Sequence, residues 1–170
     1  LQPPAPRDTG TRGGARLRQM EDQMGLFSFA KSVGAKLFGA SEAKAATAEE
    51  LKKEVEKHGL KAEGLQISVE GDKVKVSGSA MSQADAEKII LALGNTVGVA
   101  EVDSKLIAKQ AAAESRMYTV KKGDNLSKIA EEMYGKGKAN EYNRIFEANK
   151  PMLTHPDKIY PGQVLRVPPL

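Results

Sequence analysis

Residues 65–78 read LQISVEGDKVKVSG, and this alternation constrains the fold more than any other stretch. Leu65, Ile67 and Val69 fall on one side of a strand and Val74 and Val76 on one side of the next, with Gly71-Asp72 placed for a tight turn. A hairpin with one apolar face cannot bury that face alone, so helices must cover it. The flanks supply them. Thr47 and Glu50 stand at capping-box spacing ahead of a run that ends near Gly59. Ser82 and Asp85 open another helix whose apolar face is Ala86, Ile89, Ile90 and Leu93. Gly94 then sits where a C′ glycine belongs, and residues 97–107 are expected as a third strand. Residues 46–108 therefore read α-β-β-α-β, a small sheet with helices on one face.

Residues 109–116 contain few large apolar side chains and read as a linker. Beyond them, residues 117–168 read β-α-α-β. A short MYTV strand leads into the turn KKGD, and Asp124 is placed to cap a helix with the buried stripe Leu126, Ile129, Ala130 and Met133. Tyr142, Ile145 and Phe146 mark a further helix, and a Pro161-Gly162 turn precedes the last strand. The class is α+β in two small domains. At the other end, Leu26, Phe27, Ala30, Val33, Gly34, Leu37 and Phe38 recur at helical spacing, so residues 24–39 are expected as a short amphipathic helix. Its small-residue centre and its two lysines favour packing on the next domain over lying on a membrane. Residues 1–23 hold four Arg and no Lys, whereas the rest holds 19 Lys and three Arg. That contrast, with the density of Pro and Gly, predicts a disordered leader foreign to a protein that starts at Met24.

The composition closes off several chemistries. The 26 basic and 22 acidic residues are interleaved, which gives solvated helix faces and no stripe for nucleic acid. There is no cysteine, hence no disulfide and no thiolate site. His58 and His155 stand in different modules and no calcium-loop run of carboxylates occurs, which disfavours zinc and calcium. Ser127 has no histidine beside it in sequence, and no phosphate-cradling glycine pattern appears, so no enzyme is expected. No apolar run reaches the roughly 18 residues of a spanning helix, and Lys31 and Lys36 interrupt the one candidate export signal. A monomeric cytoplasmic protein is expected. A large monovalent cation remains compatible, because neutral carbonyl oxygens alone can hold potassium. Such a site needs small residues and irregular backbone, as in AKSVGA (residues 30–35) and GNTVGV (residues 94–99). On residues alone, the plainer reading of GNTVGV is a helix stop and a turn.

Three blocks, YTVKKGDNLSKIAEEMYG, IFEANKP and IYPGQVLRVP, make the C-terminal module resemble a LysM domain. VKVSGSAMSQADAEKIILALGNTVGVAEVDSKL makes the preceding module resemble a BON domain. In this order, and preceded by MGLFSFAKSVGAKLFG, they resemble the cytoplasmic BON–LysM potassium-binding family of bacteria. The resemblance implies a potassium ion held by the backbone carbonyls of Ala30, Val33, Ala35, Gly94, Thr96 and Val99, and contact between the BON and LysM domains when the ion is bound. LysM domains in general bind N-acetylglucosamine glycans. That alternative falls on Gly123, Asp124, Asn125 and Leu126 in one loop, and on Asn149 to Ile159 in another.

Overall fold

The computed structural model describes residues 25–29, 46–96 and 98–170. The predicted hairpin is strands β2 (Ala62–Glu70) and β3 (Lys73–Ser82), paired antiparallel through the Gly71-Asp72 turn. Helix α1 (Ala48–Lys57) has the capping box, with Thr47 and Glu50 each bonded to the other's backbone amide. Helix α2 (Gln83–Gly94) starts at Ser82, whose hydroxyl accepts from the Asp85 amide at 3.1 Å. It carries the chain over to strand β4 (Glu101–Gln110), which lies parallel to β3. A parallel pair requires such a crossover, and α2 supplies it.

Two expectations are corrected in this module. The third strand begins at Glu101, so residues 98–100 are loop. Leu26–Ser28 is a strand, β1, antiparallel to the free edge of β4, where a helix was expected. Adjacent Leu26 and Phe27 fit either periodicity, and the unpaired edge of β4 decides by accepting the backbone into a ladder. Phe27 then turns toward the core while Leu26 stays 57% exposed. The remainder of the predicted amphipathic helix lies outside the described residues. The sheet order is β1-β4-β3-β2.

The second module pairs β5 (Arg116–Thr119) with β6 (Val164–Val167) antiparallel. Between them run α3 (Leu126–Tyr134), a short 3-10 turn at Ala139–Glu141, and α4 (Tyr142–Ala148). Asn125, and not Asp124, caps α3: its side-chain oxygen accepts from the Lys128 amide at 2.9 Å. Asp124 instead closes the preceding turn by accepting from the Lys121 amide, also at 2.9 Å.

All four residues of β6 are buried, and they alternate between two cores. Leu165 and Val167 pack with Ile129, Ile145 and Tyr118 of their own module. Val164 belongs to the core of the first module, with Leu51, Val74, Ile90 and Leu93. Helix α2 reflects this arrangement, since nine of its twelve residues are buried where one apolar stripe would have sufficed to cover the sheet. Its second face lies against β6.

Candidate functional site

The end of α2 meets three other elements. The last helical residue is Gly94, and a Cβ built there would overlap the far edge of the Phe29 ring. This glycine is therefore required by close approach and not by a left-handed C′ conformation, as its place in the sequence suggests. The left-handed residue in the loop is Gly98, with φ of +83°. The Phe29 amide donates to the Ala100 carbonyl at 2.7 Å, which fixes β1 to the far side of the same loop. The Ala100 amide in turn donates to the carbonyl of Asp72 at 2.8 Å, so the β2–β3 turn braces the loop from below.

The carbonyls of this helix end can be followed one by one. That of Leu91 accepts from the Asn95 amide (2.9 Å), that of Ala92 from the Thr96 hydroxyl (2.7 Å), and that of Leu93 from the Thr96 amide (3.3 Å). The Thr96 carbonyl takes a long 3.3 Å bond from Val99. No described residue donates to the carbonyls of Gly94 or Val99. Unclaimed carbonyls at a helix C-terminus carry the negative end of the dipole, and no basic residue occupies the last turn of α2 to neutralise it. Among the described residues no group of three or more His, Cys, Asp or Glu is placed to hold a metal. Gly94, Thr96 and Val99 are thus together in one loop; Ala30, Val33 and Ala35 lie outside the described residues. A larger cleft of about 730 Å³, between the start of α1 and the β2–β3 hairpin, shares no residue with this loop.

Asn95, between two of the predicted residues, joins the loop to the second module. Its side-chain amide donates to the Val164 carbonyl at 2.9 Å and accepts from the Val164 amide at 3.0 Å, much as a neighbouring strand would. Further up α2, the buried Glu87 carboxylate accepts from Arg166 Nε of β6 at 2.8 Å. It also accepts from the Ser115 amide (2.9 Å) and from Gln83 Nε2 (3.1 Å). Arg166 donates further to the Ser115 hydroxyl and the Ala148 carbonyl, each at 3.0 Å. A desolvated ion pair requires this degree of satisfaction to persist. Nothing in the reading of the sequence singled out Asn95, Glu87, Arg166 or Phe29. One signal was available: an acid and a glutamine one turn apart, Gln83 and Glu87, in the helix Gln83–Gly94.

Several residues of the alternative glycan set have structural roles. Leu126 is a core residue, and Asn149 is only 2% exposed. Both amide hydrogens of Asn149 are donated, to the Ile145 and Arg166 carbonyls, and its oxygen accepts from the Arg166 amide. Ile159 packs partly against the second core. Asp124 Oδ2 accepts from the Tyr118 hydroxyl at 2.8 Å. Gly123 and Asn125 are exposed, as are Lys150, Thr154, His155 and Lys158 of the second loop, and Asn125 is already a helix cap. Burial, with the Asp124 and Glu132 carboxylates at its hydroxyl, holds the Tyr118 phenol above the ordinary tyrosine range. No helix among the described residues is long and apolar enough to cross a membrane.

These features define a two-module BON–LysM protein. The BON domain model matches residues 43–110 and the LysM domain model residues 118–168. The chain is 46% identical over 149 residues to the potassium binding protein Kbp of Escherichia coli, a match covering 85% of this chain and 99% of that one. It belongs to the BON–LysM family of that protein. A second relative, an uncharacterized protein of Deinococcus radiodurans, is 52% identical over 52 residues, which is 31% of this chain and 19% of that protein.

Proposed function

We propose that this protein binds one potassium ion through the carbonyls of Gly94, Thr96 and Val99 together with those of Ala30, Val33 and Ala35. The carrying observation is the end of α2, where the Gly94 and Val99 carbonyls meet no described donor in a loop without charged side chains. Potassium sheds its hydration shell cheaply enough for carbonyl dipoles to replace it. Kinship with a protein named for potassium binding supports the same ion. Phe29, whose ring covers Gly94, immediately precedes Ala30 in the chain. The role is that of a cytoplasmic ion-binding protein without catalytic chemistry.

The ion also favours the arrangement in which the modules touch. Asn95 belongs both to the carbonyl loop and to the contact with Val164, so ordering one orders the other. A population shift of this kind requires tighter ion binding by the closed arrangement. Calorimetric titration with potassium and with sodium, paired with small-angle scattering, tests both statements. Saturable heat and compaction with potassium alone are expected. Equal heats with the two ions, or no heat with potassium, would refute the ion assignment.

A further inference from the structure

A cleft of about 540 Å³ lies between the two modules, walled by the ends of α1 and α2 on one side and by residues 151–163 on the other. That volume is within the range of small-molecule sites. Its apolar surface comes from Leu91, Ala92 and Met152. Its polar surface is dominated by donors. Gln163 is 6% exposed, and its oxygen is occupied by the Tyr160 amide at 3.1 Å. Its NH₂ group has no hydrogen-bond partner among the described residues. No described side-chain nitrogen or oxygen is both buried and unpaired, so this NH₂ keeps a small accessible surface, on a residue that lines the cleft. The Tyr160 hydroxyl and the Lys158 ammonium, which also line the cleft, make no bond to a described side chain. The one carboxylate present, Glu54, is engaged by His58 Nε2 at 3.0 Å.

An unpaired amide donor, a phenol and an ammonium beside an apolar floor call for a ligand rich in acceptors and partly apolar. We infer that the cleft binds a small organic oxyanion, a phosphate or carboxylate on a compact apolar body. The ammonium of Lys158 meets the charge, Gln163 and Tyr160 fix its direction, and Leu91 and Met152 receive the body. Because the walls belong to different modules, the anion binds the closed arrangement. Asn95 and Thr96 also line the cleft, which places it against the carbonyl loop. This second statement rests on the potassium reading: the anion and the ion then raise each other's affinity by the same factor.

The test is titration of the full chain with adenosine 5′-monophosphate, adenosine and benzoate, each in potassium and in sodium buffer. Saturable one-to-one binding of at least one anion is expected. Adenosine 5′-monophosphate alone identifies a phosphate and benzoate alone a carboxylate. Adenosine should bind at least about tenfold more weakly than its monophosphate, if the phosphate is the group recognised. Lys158→Gln, an exposed position, should weaken the bound anion by about tenfold, and Tyr160→Phe by a few-fold. Absence of saturable binding by either anion, or affinity unchanged in both variants, overturns the proposal. Titration of potassium alone keeps the two readings apart. Anion binding without potassium binding leaves the cleft standing and removes the ion; the reverse removes the cleft.

Discussion

Replacing Gly94 by alanine sets two effects against each other, and the structure decides between them. Alanine is the better helix former by about 1 kcal/mol in a helix interior, and by less at a final residue. Against this, the new methyl group would occupy the space of the Phe29 ring edge, a side chain that is itself only 9% exposed. The helix cannot retreat, because its other faces pack on the sheet and on β6, so the ring must leave. Losing most of a phenylalanine's burial, worth about 1.5–3 kcal/mol, outweighs the gain in propensity and leaves a net loss of about 1–2 kcal/mol. The loss should be local. The Phe29 amide bond to Ala100 and the three-residue β1 ladder are the contacts that go with the ring. Hydrogen exchange at Phe29 should accelerate while that of Val76 and Val102 stays slow. Potassium affinity should drop by about tenfold, since Phe29 leads directly into the second half of the proposed ligand set. Phe29→Leu, with no ring edge at that point, should restore most of both properties in the Gly94→Ala background, a non-additive cycle that separates collision from general damage. A Gly94→Ala protein as stable as the parent, with unchanged exchange at Phe29 and unchanged ion affinity, would refute this reasoning.

Three further outcomes are expected. Glu87→Ala leaves the Arg166 guanidinium buried without its carboxylate and takes the acceptor from Ser115 and Gln83; a loss of about 3–5 kcal/mol is expected in guanidinium unfolding, with the two modules beginning to melt separately. A loss below about 1 kcal/mol would show that the pair is not desolvated. Asn95→Asp keeps the acceptor for the Val164 amide but sets a carboxylate against the Val164 carbonyl, so exchange at Val164 should rise and scattering should report a more open molecule; unchanged exchange would disconnect Asn95 from the module contact. The raised Tyr118 phenol contributes stability that is fully present below the unfolded tyrosine value, near pH 10, and is lost as pH rises toward its folded value. Denaturant midpoints should therefore fall more steeply above pH 10 in the parent than in Tyr118→Phe, and parallel curves would contradict the assignment.

Much of this fold is legible in local pattern, because local pattern is what the elements obey. The hairpin from 65 to 78, the capping box at Thr47 and the Ser82 cap are all decided by residues within a few positions of each other. What escapes is decided at long range. Leu26 and Phe27 form a strand because β4 offers an open edge more than 70 residues later in the chain, a partner that no short window contains. Arg166 in VLRV reads as the solvent side of a strand, yet it faces a carboxylate 79 residues earlier. Gly94 reads as a C′ glycine, but its missing side chain makes room for a ring, since sequence shows the absent Cβ and not what fills its place. The carbonyl loop itself has no side-chain signature, and composition served there only by excluding ions that demand charge.

The two-sided strand β6 has a consequence for synthesis of the chain. Its Val164 closes the first module's core, and its Arg166 neutralises Glu87, though both leave the ribosome long after the helix they contact. Until then the first module carries an uncovered apolar face with an unpaired acid in it, a surface suited to a chaperone and open to misassociation. The N-terminal module is therefore a half-finished object during translation, and a premature stop between residues 110 and 164 should yield an insoluble fragment and not a smaller working protein.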